Sequence, residues 1–153
     1  MNFLKSFKYA FEGLMYMIKF ERNFRFHLCA GLSAILLSFN YDLSGTKKLI
    51  LAFTITFVII CEMLNTAVEC AVNLSSPEYS QLAKIAKDVS AGAVLVSAFI
   101  AIASAFVLFY DARIFWNIVL NYIKNPLFWI YTALCITFIH GGILKLITKG
   151  ERF

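Results

Sequence analysis

The sequence predicts an all-α integral membrane protein, with an amphipathic surface helix at its N-terminus followed by membrane-spanning helices. Of the 153 residues, 61% are hydrophobic and only 15% are charged, which is too apolar for a soluble globular protein. The apolar residues are gathered into helix-length runs, and short polar connections separate these runs. The length fits one domain.

The first twenty residues predict a helix that lies on the membrane surface. Their apolar side chains recur at spacings of three and four residues, at Phe3, Phe7, Phe11, Leu14 and Ile18. The charged residues fall mainly off this stripe, so we predict an amphipathic helix over about 2–20. A signal anchor is the alternative. Charges interrupt the segment too often for a secretory signal peptide, and we expect it to be retained.

Three apolar runs follow and predict membrane spans. The run at about 27–40 is short, about 20 Å as a helix, so this span either uses preceding residues or is stubby. The runs at about 49–72 and 89–110 are long enough to cross a bilayer, the former at roughly 36 Å. Between them, residues 75–78 combine candidate N-caps with an early proline and an early acid, a pattern that begins a helix.

Residues 111–153 form a C-terminal extension in which we predict a fourth span at about 127–147. The part before this span has aromatic side chains typical of the membrane interface, at Phe115, Trp116 and Tyr122. We interpret His140, beside a pair of glycines, as a hydrogen-bonded core residue at a close helix contact and not as a functional site.

The basic residues predict the orientation of the chain. The net charge is +5, but the lysines and arginines lie between apolar runs, so we expect anionic lipid headgroups and no nucleic acid as their partner. With the N-terminus inside and four spans, ten basic residues lie inside and four lie outside: Lys47, Lys48, Arg113 and Lys124. This places the N-terminus and the connection at 75–88 in the cytoplasm, where ATP is. The four cysteines show no metal-binding or redox spacing.

The second predicted span carries a polar stripe within about a third of the helix circumference. Its members are Glu62, Asn65, Thr66, Glu69 and Asn73. An ionisable group deep in a bilayer costs on the order of 2.5–3.5 kcal/mol, so such a helix turns its acids toward protein, a cation or water. Two carboxylates on one face suit a hard cation such as Mg²⁺, with Asn65 as a neutral ligand or amide contact. The alternative is that the acids only join helices through buried hydrogen bonds.

The start of the next helix carries Lys84, Lys87 and Asp88, followed by the small residues 90–92. A lysine near an acid pair and a metal can neutralise phosphate charge, and small residues permit close approach of a helix or a ligand. Lysines at a membrane boundary are otherwise plain topology anchors. The chain has no P-loop and no protein-kinase motif, so any phosphoryl transfer would be arranged differently from those classes.

Several segments together resemble one family. They are Glu62-Met-Leu-Asn65-Thr-Ala-Val-Glu69, Glu78-Tyr79, Ala86-Lys87-Asp88 with 91–94, Tyr9-Ala-Phe-Glu-Gly13-Leu, and Glu21-Arg-Asn-Phe24-Arg25. The combined pattern covers about 5–110 and resembles the prokaryotic diacylglycerol kinase and undecaprenol kinase family, small integral membrane lipid kinases. The variants ERNFRFH and SPEYSQLAKIAKD are more similar to the Gram-positive undecaprenol kinase branch.

The resemblance implies a role for each matching residue. Glu62 would be the general base toward the lipid hydroxyl, and Glu21 and Glu69 would hold the Mg²⁺ that bridges the phosphates of ATP. The nucleotide site would include Tyr9, Asn65, Glu78, Lys87 and Asp88, and Phe24 and Arg25 would border the lipid. The family fold is a surface helix with three transmembrane helices, assembled as a homotrimer with composite sites between subunits, so 1–110 would be the lipid kinase domain.

Two departures from the family pattern are the extension at 111–153 and Asn73, which stands where the family commonly has an aspartate. The expected function is ATP- and Mg²⁺-dependent phosphorylation of a lipid alcohol in the bacterial plasma membrane, with undecaprenol as the first candidate substrate and diacylglycerol as the alternative. A small cation or proton carrier, or a catalytically inactive scaffold, is the alternative of a different class.

Overall fold

The computed structural model of the chain describes residues 3–75 and 80–141, and these two ranges contain helices and turns but no strand. This confirms the predicted all-α class. The helices in chain order are α1 (Phe3–Phe20), α2 (Arg22–Ser38), α3 (Gly45–Ser75), α4 (Gln81–Leu108), α5 (Ala112–Lys124) and α6 (Pro126–Ile139).

The chain divides into two compact units. One consists of Met1–Ala30 with Leu120–Phe153, and the other is Gly31–Val119. In the first unit the most buried side chains are Met17, Phe24 and Arg25. The second unit contains the long helices α3 and α4, which pack against each other.

Helix α1 has the amphipathic pattern that its sequence predicts. Phe3, Phe7 and Phe11 lie along one side and are more than 60% exposed, so the rest of the chain does not cover them. Lys19 lies in the last turn, where a cation interacts favourably with the negative end of the helix dipole. The uncovered aromatic stripe fits the predicted position of α1 on a membrane surface, with its apolar side in the lipid.

Helix α2 is short, as the length of its apolar run predicts. Its 17 residues extend about 26 Å, which is less than the thickness of about 30 Å of the bilayer hydrocarbon. Within the second unit, Gly31 brings α2 close to α3, because a Cβ at this position would lie 2.7 Å from Cγ2 of Ile55. A side chain at position 31 would therefore push the two helices apart.

Helices α3 and α4 are each long and apolar enough to cross a membrane. One face of α3 is buried, at Leu51, Thr54, Val58, Glu62, Asn65 and Thr66. Helix α4 begins at Gln81, where the Ser80 hydroxyl accepts the N–H of Ala83 and caps the helix. The helix-start pattern predicted at 75–78 lies mostly outside the described residues. Glu78 lies outside the described residues.

The extension forms two helices joined at a sharp bend. Asp111 caps α5 by accepting the N–H groups of Arg113 and Ile114, and Asn125 caps α6 by accepting the N–H of Leu127. The two helices meet at 88° and reach the length of a membrane span only as a pair. The described residues thus contain two candidate spans, or three if the bent pair is one, and the last part of the span predicted at 127–147 lies outside them.

Candidate functional site

The buried face of α3 changes from apolar to polar midway along the helix. Leu51 and Val58 are followed on the same face by Glu62, which is 2% exposed, and by Asn65 at 9%. These positions recur at spacings of three and four, so they lie on one side of a single helix. The structure therefore places Glu62 and Asn65 against protein, where a carboxylate costs free energy unless it is paired or used.

Asn65 links the two helices of this unit through both ends of its amide. Its Nδ2 donates to Oε1 of Glu69 at 3.0 Å, one turn further along α3. Its Oδ1 accepts from the Ser90 hydroxyl of α4 at 2.7 Å, and that hydroxyl also lies 2.9 Å from the carbonyl oxygen of Lys87. Because both ends are used, the orientation of the amide is defined by its partners.

Glu69 has one carboxylate oxygen engaged and one available. The amide of Asn65 holds Oε1, and within the described part of the chain Oε2 has no hydrogen-bond donor. Glu69 itself is exposed at the end of the buried face. A fixed carboxylate with a free oxygen beside solvent is a suitable ligand for a hard divalent cation.

Lys87 extends the network to the last turn of α3. Its Nζ donates to Oδ1 of Asn73 at 2.6 Å. An ammonium group has three protons, so this bond leaves two for another acceptor. Because the amide of Asn73 is neutral, it does not cancel the charge of Lys87, which remains available to an anion. Asp88, the next residue of α4, is exposed.

Two of the expected nucleotide and metal residues lie in the other compact unit. Tyr9 is 58% exposed on α1. Glu21 occupies the one-residue break between α1 and α2, where its N–H donates to Met17 and its carbonyl accepts the N–H of Arg25. A carboxylate at the start of α2 interacts favourably with the positive end of the helix dipole.

Phe24 and Arg25, which the resemblance places at the lipid, are both buried, at 2% and 5% exposure. The guanidinium of Arg25 donates to the carbonyl oxygens of Ile18 at 3.0 Å and Lys19 at 3.1 Å, in the last turn of α1. Its Nε and Nη2 both lie 3.2 Å from the carbonyl oxygen of Ile139, the last residue of α6. Arg25 thus satisfies carbonyls that the ends of two helices leave without partners.

Sequence reasoning missed this role of Arg25. Its partner on α6, the carbonyl oxygen of Ile139, is 114 residues away, and no local sequence pattern connects the two residues. The residue that could have indicated this role is Gly141, which follows α6 and has a φ of +68°. A Cβ at this position would lie 3.3 Å from Nη2 of Arg25. The glycine permits both the left-handed turn and the approach of the guanidinium.

The described residues contain no cluster of three or more His, Cys, Asp or Glu side chains able to hold a metal. Mg²⁺ does not require one, because it is commonly held by one or two carboxylates together with water and substrate phosphates. The carboxylate of Glu69, with one oxygen engaged and one available, fits that mode of binding by its chemistry.

The family model for prokaryotic diacylglycerol kinase matches residues 8–109, which contain every site residue discussed above. The chain belongs to the prokaryotic diacylglycerol kinase family. The match ends before α5, so α5 and α6 are additions to the part that the family shares.

Three relatives show the range of the family. A diacylglycerol kinase of Synechocystis is 43% identical over 66% of this chain and 58% of its own length. The undecaprenol kinase of Bacillus subtilis is 39% identical over 65% of this chain and 80% of its own length. The diacylglycerol kinase of Escherichia coli K12 is 30% identical over 65% of this chain and 81% of its own length. The chain thus spans less than two thirds of the Synechocystis relative, and the names of the family and of these relatives indicate a lipid kinase.

Proposed function

We propose that this chain is a membrane lipid kinase that transfers the γ-phosphate of ATP, with Mg²⁺, to the hydroxyl of a lipid alcohol. The observation that carries the proposal is the enclosed carboxylate of Glu62, one turn along the same face from the hydrogen-bonded set of Asn65, Glu69 and Ser90. A purely structural role would be served at lower cost by neutral side chains such as those of Asn65 and Ser90.

In this proposal Glu62 acts as the general base. Phosphoryl transfer has a loose transition state, so catalysis consists chiefly of positioning the hydroxyl and stabilising the phosphate charge. The carboxylate of Glu62 accepts the hydroxyl proton as the bond from the lipid oxygen to the γ-phosphorus forms and the bond from that phosphorus to ADP breaks. Its enclosure also keeps water, the competing acceptor of phosphate, away from the reaction.

The nucleotide would lie toward the connection between α3 and α4. Lys87 supplies positive charge, and Asn65, Asp88, Tyr9 and Glu78 complete the proposed nucleotide site. Mg²⁺, held by Glu21 and Glu69, would neutralise phosphate charge. The free Oε2 of Glu69 supports that assignment.

The lipid site is proposed to border the junction of α1 and α2. Because the donors of Arg25 are used by helix carbonyls, Phe24 and Arg25 would shape this border by holding the junction together and not by binding a headgroup. The proposed assembly is a homotrimer with sites shared between subunits, in the bacterial plasma membrane with a cytoplasmic N-terminus.

Undecaprenol is the first candidate substrate and diacylglycerol the alternative. The chain is 43% identical to a relative named diacylglycerol kinase and 39% identical to one named undecaprenol kinase, and these similar values favour neither substrate. The variants in the segments around Glu21 and Lys87 resemble the undecaprenol branch, and the choice of substrate rests on them.

The deciding experiment is transfer of radiolabelled phosphate from ATP by the full chain in detergent. Undecaprenol and diacylglycerol are supplied in parallel, with Mg²⁺ present or chelated. We expect metal-dependent labelling, faster for undecaprenol. Faster labelling of diacylglycerol would change the proposed substrate and leave the assignment as a lipid kinase intact. Labelling of neither lipid would contradict that assignment and favour a carrier or a scaffold.

A further inference from the structure

A cavity of about 610 Å³ lies in the second compact unit at the opposite end of α3 from the candidate active site. It is formed by the end of α2, the turn at 39–42 and the first turns of α3. Lys48, on its wall, precedes Glu62 by 14 residues, or about 21 Å along the helix. The cavity is therefore separate from the proposed kinase site and needs an explanation of its own.

Tyr41 in the wall of this cavity has a buried hydroxyl without a partner. The side chain is 8% exposed, and its ring packs edge-on against Phe109 with the centroids 5.1 Å apart. Within the described ranges the hydroxyl forms no hydrogen bond. Burial raises the pKa of Tyr41, and the charge of Asp111 raises it further, so the hydroxyl stays protonated and can donate. A buried donor without an acceptor is costly, and a ligand in the cavity that supplied an acceptor would remove that cost.

The same cavity holds two opposite charges that do not neutralise each other. Asp42 and Lys48 both line it and both are exposed. In residues 3–75 and 80–141, neither side chain forms an ion pair or a hydrogen bond. The neighbouring charges are used elsewhere: Lys47 lies over the ring of Tyr110, and Asp111 caps α5. Separate positive and negative groups in one cavity suit a ligand that carries both charges.

The rest of the wall is partly apolar, and its two polar side chains, Ser38 and Asn40, donate to carbonyl oxygens of α2. Ile35 of α2 and the residues Leu51 and Ala52 of α3 continue from the charged end along the two helices. Because α3 is a candidate membrane span, this side extends toward the hydrocarbon of the bilayer. A ligand that fits has a polar end at the turn and an apolar end along the helices.

We propose that this cavity binds the headgroup of a zwitterionic phospholipid of the phosphatidylethanolamine type, in the leaflet opposite to the candidate active site. The phosphate would accept from Tyr41 and pair with Lys48, and the primary ammonium would pair with Asp42. The acyl chains would lie along α2 and α3. This binding site is independent of the kinase activity and involves none of the residues assigned to it.

Native mass spectrometry of the full chain in detergent tests the proposal. The probes are phosphatidylethanolamine and phosphatidylglycerol with identical acyl chains. Both lipids carry the phosphate, and only phosphatidylethanolamine carries the ammonium group. We expect the wild-type chain to retain phosphatidylethanolamine with about tenfold higher affinity, the usual effect of one charged hydrogen bond. Asp42→Asn removes this preference by weakening phosphatidylethanolamine alone, and Tyr41→Phe weakens both lipids several-fold.

Two matched variants serve as controls. Tyr110→Phe removes an exposed hydroxyl at the same end of the unit, and Lys47→Gln removes the lysine next to Lys48; neither residue lines the cavity, and both variants should bind as the wild type does. Equal affinity for the two lipids, or an unchanged preference in Asp42→Asn, overturns the proposal. So does the absence of any bound lipid from the folded protein.

Discussion

Position 73 shows how one side chain sets the charge at the candidate site. The family resemblance predicts a carboxylate there, and the amide of Asn73 accepts from Lys87 instead. A carboxylate would form an ion pair with Lys87, but an exposed pair contributes only about 0–1 kcal/mol to folding. The substitution therefore matters little for stability, and its main consequence is that Lys87 keeps its charge for a ligand.

Lys87→Gln is expected to raise the KM for ATP about tenfold, which corresponds to the loss of one charged hydrogen bond to phosphate. The melting temperature should change little, because the bond to Asn73 is exposed. Lys84→Gln is the matched control, since Lys84 is one turn earlier on α4 and exposed. Equal effects of the two variants on KM would mean that only the overall positive charge matters.

Glu62→Gln is expected to lower the rate of phosphate transfer by a factor of about 10²–10⁴, the usual contribution of a general base. Folding should be retained, because the substitution removes a buried charge and keeps the shape of the side chain. The measurements are the initial rate of lipid labelling and the helix content by circular dichroism. Glu12→Gln, on the exposed side of α1, is the control, and wild-type rates for Glu62→Gln would exclude the general-base role.

Glu69→Gln is expected to raise the Mg²⁺ concentration required for half-maximal activity, because an amide is a weaker ligand than a carboxylate for this cation. A titration with Mg²⁺ should restore part of the rate. If no Mg²⁺ concentration restores activity, Glu69 is not a metal ligand, and its bond to Asn65 is then its main contribution.

At the scale of helices, the contact between α3 and α4 is part of the site itself. The bond from Ser90 to Asn65 joins the two helices, and that from Asn65 to Glu69 orients the exposed carboxylate. The packing of the hairpin and the position of a proposed metal ligand thus depend on one amide. Substitutions at Asn65 are expected to affect both.

A double-mutant cycle measures this link. Asn65→Ala leaves the Ser90 hydroxyl without its partner on α3, so we expect a loss of about 1–3 kcal/mol of stability. Ser90→Ala should lose about 1 kcal/mol, and the double mutant less than the sum of the two by about 0.5–1 kcal/mol. Unfolding in mixed micelles provides the free energies. Strict additivity would show that the two side chains do not interact in the folded protein.

Sequence reasoning predicted helices best where a pattern extends over many residues. The stripe of α1 and the apolar runs of α3 and α4 are long enough that only a helix explains them. Ser80 was not singled out as the N-cap of α4, because this connection contains several serines suitable as N-caps and the local sequence does not choose among them. The fourth span predicted at about 127–147 begins just after the bend that precedes Pro126, and it stays a prediction because its last part lies outside the described residues.

At the scale of the molecule, the polar face of α3 was predictable, whereas long-range contacts were not. The polar stripe on α3 follows from the helical period. The bonds of Arg25 to Ile139 and the buried hydroxyl of Tyr41 depend on elements distant in sequence, and nothing near either residue signals them. Arg25 therefore received a role at the lipid from the resemblance, although its donors are used by helix carbonyls.

Arg25→Met is expected to destabilise the protein by on the order of 3 kcal/mol, because it retains the buried volume and leaves three carbonyl groups without their donor. Thermal unfolding in detergent measures the loss. Arg22→Met, three residues earlier on α2 and exposed, is the control and should unfold as the wild type does. A wild-type melting temperature for Arg25→Met would show that these bonds contribute nothing to stability.

The bonds of Arg25 also have a consequence for biosynthesis. Ile139 is translated 114 residues after Arg25, which takes about 6–23 s at ordinary rates of elongation. During this interval the guanidinium has been made but its acceptor on α6 has not. The contact of Arg25 with α6 therefore forms only after more than a hundred further residues have been added, so the junction of α1 and α2 is completed long after its own synthesis.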